Sequence, residues 1–281
     1  MQLHRLLRVP AFVRYGVQID TAPAWAWLVL LAAALWPTWL WMGRRMADGS
    51  DDPLGLLALA ALGVVAWRSR RRLRASPRLG WLAAALTCAV VACATQGSLP
   101  PLVVSLVALL GLAAGLAAFL PPALPAGPVV GLSIRSLPLL ASLQFYAGYP
   151  LRLITAEASR WLLQLAYTVE RTGASLRIDG HLVIVDAPCS GVQMAWFGYF
   201  TACVIALVAM RGDRAFLTRL PAVSVLVLAG NVLRNTVLVA AEGSGHHLPG
   251  WAHDAAGLVV LATVCGAIAW VMGRHEGARR V

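Results

Sequence analysis

Three side chains that together can do covalent chemistry lie in the last hundred residues of this sequence: Cys189, Arg234 and His253. A thiolate attacks a carbonyl carbon. A guanidinium stabilises the oxyanion that forms, and an imidazole carries a proton to the leaving group. That is the minimum set for acyl transfer. Cys189 stands in DAPCSGVQMAW, residues 186–196, where a polar stretch gives way to an apolar run. The other four cysteines, Cys88, Cys93, Cys203 and Cys265, lie inside apolar runs and read as packing residues.

The local readings have alternatives. Cys189 follows Pro188, and the pattern predicts that it opens a helix, whose unpaired N–H groups and positive dipole end favour a thiolate. The N–H groups of Ser190 and Gly191 are placed to cradle an oxyanion, and Gly191 has no side chain to block a peptide. The plainer reading is a Pro–Cys helix start capped by Ser190. Asp186 reads as a structural residue that orients the preceding strand, or else holds a proton-transfer partner. Arg234 lies within an apolar stretch, ~12 Å from its external end at 1.5 Å per residue. Asn231 shares its helix face and is placed to orient the guanidinium. An arginine in hydrocarbon needs a partner or a wet cavity; a helix-tying or snorkelling arginine is the alternative. His253 stands at the edge of an apolar run, as interface histidines commonly do. The pair His246–His247 nearby raises a metal reading, but the spacing matches no zinc motif. No metal or cofactor is expected.

The elements that must position these groups are set by composition. The chain has 281 residues, 59% hydrophobic and 12% charged, with a mean hydropathy of +0.73. Too few charges are present to cover a soluble domain of this length. Repeated apolar stretches fit a bilayer core of ~30 Å, for which helices are the expected spanning element. The expected fold is an all-α polytopic membrane protein in a single domain, 1–281, with about eight transmembrane helices. The spans read as 23–42, 53–67, 79–95, 100–120, 131–149, 189–210, 218–241 and 252–272. Pro53, Pro100 and Pro221 fall near span starts, where proline is tolerated. The first 20 residues lack a continuous apolar core of the signal-peptide kind, so the first span is expected to direct insertion.

Charge sets the orientation. All 23 basic residues other than histidine are arginine, and the net charge is +11. They fall between apolar spans, which argues against a nucleic-acid partner. Four segments hold fifteen of them: the N-terminus, RSRRRLRASPR (68–78), RGDRAFLTR (211–219) and the tail GRHEGARR (273–280). The positive-inside rule places all four in the cytoplasm, with both termini inside. Arg44–Arg45, beside Asp48, Asp51 and Asp52 on the outer side, is the misfit. The remaining external piece is 150–188. Its first part, 151–173, has apolar residues at helical spacing and reads as an amphipathic helix on the membrane face. Next, SLRIDGHLVIVDAP alternates about Asp179–Gly180 and reads as a two-stranded ribbon leading into Cys189. Tyr146, Tyr149 and Trp161 read as headgroup anchors or substrate contacts. This topology brings Cys189, Arg234 and His253 to one outer-leaflet region.

CSG at a span start, NVLRN in the next span, and a histidine followed by DAAG at the start of the last resemble the exosortase/archaeosortase family. The motifs cover about 186–260, and the hydropathy plan covers the chain. Two positions depart from the usual family pattern: Asp186 stands where glutamate is more common, and Gln193 where many members carry a basic residue. The resemblance implies a membrane cysteine protease or transpeptidase that processes C-terminal sorting signals of the PEP-CTERM type. Such a signal has a short motif, a transmembrane helix and a basic tail. Residue by residue, it implies Cys189 as nucleophile, Arg234 as oxyanion or thiolate stabiliser, and His253 as general acid/base. The expected location is a bacterial inner membrane with the site facing outward, and the expected partners are tailed substrate proteins and lipids. Three rival readings remain: a small-molecule transporter with Arg234 on the substrate path, a non-catalytic membrane assembly factor, and a serine protease built on Ser190 and His253.

Overall fold

A computed structural model describes residues 23–49, 51–184, 190–243 and 249–274, with the side chains of Ile184, Gly250, Ala252 and His253 excepted. Cys189, Asp186 and the pair His246–His247 lie outside the described residues. Ten helices and one three-stranded sheet form among the described residues. The first five helices are α1 (Ala24–Ala34), α2 (Trp36–Ala47), α3 (Gly55–Ser69), α4 (Leu79–Ala94) and α5 (Pro101–Phe119). Then follow α6 (Ala126–Arg135), α7 (Leu140–Leu163), β1 (Val169–Thr172), β2 (Ser175–Ile178) and β3 (His181–Ile184). The chain ends in α8 (Val192–Val208), α9 (Asp213–Gly243) and α10 (Gly250–Gly273).

The eight expected spans do not all stand as single crossing helices. Three unbroken stretches are long and apolar enough to cross a membrane: α5, α9 and Asp254–Gly273 of α10. Counting each bent pair as one span raises this to five. Helices α3, α4 and α8 are apolar but have only 15, 16 and 17 residues. The first expected span is divided, because α1 and α2 meet at 59° with Pro37 in the first turn of α2. The fifth, 131–149, is divided more sharply, since α6 and α7 meet at 92°. Pro138 lies in that corner. It has no N–H to continue a helix, and it disfavours helical geometry at Leu137. Pro221, expected near a start, lies inside α9, which begins eight residues earlier at Asp213.

The amphipathic segment is also redrawn. The helix starts at Leu140, eleven residues earlier than expected, and stops at Leu163. Tyr146, Tyr149 and Trp161 lie exposed along it. Val169–Thr172, expected as the helix end, pairs instead with Ser175–Ile178 as a third strand. The expected β2–β3 hairpin forms, with Asp179 at φ +46 and Gly180 at φ +90, the two left-handed residues of a type I′ turn. Asp179 holds the added strand in place. Its N–H donates to the Thr168 carbonyl at 3.1 Å, and its Oδ1 accepts from the Thr168 N–H at 3.1 Å. The buried side of this sheet, Val169, Leu176, Ile178 and Val183, packs on Ala156 and Leu163 of α7 and Val239 of α9.

The main core is built around α8, where Trp196, Ala202, Cys203 and Ala206 are buried. Small residues let the last three helices approach closely: a Cβ at Gly198 would meet Val227 of α9 and Ile268 of α10, and one at Gly230 would meet Val264 of α10. In a bilayer such packing contacts, rather than release of water, hold helices together. Among the described residues, the two arginine-rich segments 68–78 and 211–219 gather at one end. Arg74 and Arg78 donate their main-chain N–H groups to Phe119 and Ala118 at the end of α5. Arg211 and Arg219, flanking the start of α9, donate to the Met272 carbonyl at the end of α10. The Gly127 N–H at the start of α6 donates to Asp213 Oδ1 at 2.7 Å. The Arg45 misfit has a structural cause. Its Nε lies 3.7 Å from Oδ2 of buried Asp51, whose Oδ1 accepts the Ala141 N–H in the first turn of α7.

Candidate active site

The segment after Cys189 is fixed by three helices. Ser190 is 3% exposed. Its hydroxyl donates to Gln144 Oε1 of α7 at 2.8 Å and accepts the Val192 N–H at 3.3 Å. Ser190 precedes the N-cap, which is Gly191, and an amide oxygen rather than a base takes the Ser190 proton. Gly191 has φ +85 and forms the left-handed N-cap of α8. The helix thus begins at Val192, three residues after Cys189, and not at Cys189 as the pattern predicted. A left-handed residue at the N-cap ends the helix on that side. Gly191 also needs its missing side chain, since a Cβ there would lie 2.8 Å from the Asn231 amide.

Helix α9 carries the polar groups that face this segment. Asn231 and Asn235 are 2% and 1% exposed. Asn231 Nδ2 donates to Thr155 Oγ1 of α7 at 3.0 Å. Asn235 Nδ2 donates to the Asn231 carbonyl at 2.9 Å. Ser159 of α7 donates to the Val232 carbonyl at 3.3 Å. One face of α7, bearing Gln144, Thr155 and Ser159, therefore binds both the start of α8 and the middle of α9. Buried amides and hydroxyls are stable in an apolar bundle only when paired in this way.

Arg234 lies one turn beyond Asn231 and points to the third helix. Its Nε, Nη2 and Cζ are 3.1, 3.2 and 3.3 Å from the place a Cβ on Gly257 would take. The guanidinium thus lies against α10 at Gly257. Position 253 lies one turn earlier on α10, on the same helix face; the side chain of His253 lies outside the described residues. Asn231 and Arg234 together reach from Gly191 to Gly257, so α9 bridges the starts of α8 and α10.

Of the expected site residues, Ser190, Gly191, Asn231 and Arg234 are brought into this one region. The described residues do not include Cys189 or Asp186. Among the described residues, no three metal-ligating side chains come together. Gln144, Thr155, Ser159 and Gly257 were missed in the sequence. Gln144, Thr155 and Ser159 sit at helical spacing along one stripe of α7. The signal was hidden because the expected boundary between span and amphipathic helix cut through that stripe.

A family model described as transmembrane exosortase matches residues 46–270. No curated protein and no solved structure matches the chain. The matched region contains every described helix from α3 to α9, most of α10, and all four residues of the bridge. This chain is therefore a multi-pass membrane protein of the exosortase family.

Proposed function

We propose that this protein is a membrane cysteine protease or transpeptidase. It acts at the outer face of a bacterial inner membrane on proteins that end in a PEP-CTERM-like sorting signal. The observation that carries the proposal is the α9 bridge: Asn231 packs on Gly191, two residues after Cys189, and Arg234 lies against Gly257, one turn after His253. The reading supported by this bridge is that the Cys189 thiol, the Arg234 guanidinium and the His253 imidazole act together.

In this reading His253 takes the proton of the Cys189 thiol, and the thiolate attacks the scissile carbonyl carbon, breaking the C=O π bond as the C–S bond forms. The carbonyl oxygen takes up the negative charge beside the Arg234 guanidinium. Collapse of the tetrahedral adduct breaks the C–N bond. His253 gives a proton to the leaving amine and is left neutral. The thioester is then opened by water, completing proteolysis, or by an acceptor amine or hydroxyl, completing transfer. Ser190 is the weaker nucleophile, since its hydroxyl donates to Gln144.

The test compares Cys189→Ala, Arg234→Ala and His253→Ala in cells that carry a tagged substrate with a C-terminal helix and basic tail. Each variant is expected to accumulate the uncut form, and the wild type to yield a hydroxylamine-sensitive thioester. Normal processing by Cys189→Ala would refute the proposal. Full processing by Arg234→Ala would remove the guanidinium from the mechanism.

A further inference from the structure

A second polar cluster, formed by Arg135, Tyr199 and Ser224, lies deep in the helical region and away from the bridge. Arg135 ends α6, and its guanidinium lies over the Tyr199 ring of α8, 5.0 Å from the centroid. The Tyr199 hydroxyl is 2.6 Å from Ser224 Oγ of α9. Ser224 donates its own proton to the Leu220 carbonyl at 3.1 Å, so Tyr199 is the donor in that pair. The two hydroxyls therefore satisfy one another. Arg135 is different, since no carboxylate among the described residues forms an ion pair with it. The negative end of α6 offsets only part of its charge.

The depth of the cluster follows from counting along three helices. Arg135 lies eight residues beyond Gly127, which bonds Asp213 at the arginine-rich end, a rise of ~12 Å. Ser224 lies eleven residues beyond Asp213, or ~16 Å from that end. Tyr199 lies seven residues inside the opposite end of α8, or ~10 Å. In a hydrocarbon layer of ~30 Å all three sit near the middle. Lipid phosphates do not reach that depth. Ser224 is exposed on the outside of α9, and Tyr199 is half-exposed, so the cluster is open to a neighbour within the membrane. A cation there calls for an acceptor.

We propose that Arg135, Tyr199 and Ser224 form an intramembrane seat for the transmembrane helix of the protein that this enzyme processes, with Arg135 taking a hydrogen-bond acceptor from the middle of that helix. The inference rests on the reading that the substrate is membrane-anchored. It adds a register to that reading. Tyr199 is seven residues, or ~10 Å, along α8 from its start at Val192, which bonds Ser190. A helix seated at Arg135 and running beside α8 therefore brings its outer end level with the candidate active site.

The test uses the full chain with Cys189→Ala, so that binding is read without cleavage. A photo-cross-linking residue replaces Leu228, which is exposed one turn beyond Ser224 on α9. The probe is a tagged single-span reporter with a leucine–alanine helix and an arginine tail, carrying one glutamine moved along the helix. Mid-span glutamine is expected to raise the cross-link about tenfold over the all-apolar helix. Glutamine in the outer quarter is expected to give no gain. Arg135→Leu is expected to abolish the gain and Tyr199→Phe to keep it. If Arg135→Leu lowers the thermal midpoint, Arg135→Met, which also lacks a donor, carries the same comparison. A gain that survives both substitutions, or that is equal at every glutamine position, overturns the seat. Loss of cleavage chemistry in the wild type with the gain intact would sink the enzymatic reading alone.

Discussion

Gly191 and Gly257 hold the two ends of the α9 bridge, and each makes a different demand. Gly191 needs both its left-handed backbone and its empty side-chain position. Gly191→Ala is therefore expected to cost about 1–3 kcal/mol of stability and to be read as a lower thermal midpoint in detergent. Gly257 is helical, so alanine there favours the helix by about 1 kcal/mol. The same methyl group would push the Arg234 guanidinium aside, since its carbon would lie 3.1 Å from Nε. Gly257→Ala is thus expected to leave the thermal midpoint unchanged or raised while processing slows on the order of tenfold. Equal processing by Gly257→Ala and the wild type would mean that the position of Arg234 is not critical. Much of this site was legible in the sequence, because Ser190, Gly191, Asn231 and Arg234 combine polar or special residues with an apolar setting. Gly257 was not legible, as nothing in DAAGLVV separates a glycine that seats an arginine from one that merely packs.

At the scale of elements, the corner between α6 and α7 decides how the site is supported. The face of α7 that bonds Ser190 and Asn231 reaches them because α7 leaves α6 at 92°. Asp51 stabilises the start of that helix by accepting the Ala141 N–H while paired with Arg45. An oxygen at such a position contributes about 0.5–2 kcal/mol. Asp51→Ala is expected to lose that amount, with faster amide hydrogen exchange confined to the first turns of α7. Unchanged exchange there would show that the turn is held by packing alone. The sequence reading placed most helices within a few residues, since long apolar runs set them. It ran through Pro138, because hydropathy alone does not distinguish a straight apolar span from one folded at a proline. β1 is hidden in the sequence because Val169 continues the helical apolar spacing of Leu162 and Leu165, whereas the pairing to Ser175–Ile178 is a tertiary fact.

Across the whole molecule, charge and contact geometry describe the same two ends. The arginine loop 70–78 folds onto the end of α5, and Arg211 and Arg219 bind the end of α10. The three-stranded sheet covers the opposite end, where the Cβ position of Gly243 at the end of α9 meets Ile178 of β2. Glu157 of α7 pairs with Arg171 of β1 at 2.6 Å and fastens the sheet to the helix that supports Ser190. The positive-inside rule predicts that the arginine end is cytoplasmic and that the sheet, with the bridge beside it, is at the outer face. Two single cysteines test this, each in a chain whose native cysteines are replaced. Ala75→Cys lies in the arginine loop, and Ala174→Cys lies in the turn between β1 and β2. A membrane-impermeant maleimide is expected to label Ala174→Cys in spheroplasts and Ala75→Cys only after the membrane is opened. Labelling of Ala75→Cys alone in spheroplasts would invert the molecule and put the candidate site in the cytoplasm, where a secreted substrate's tail would have to be cut before export.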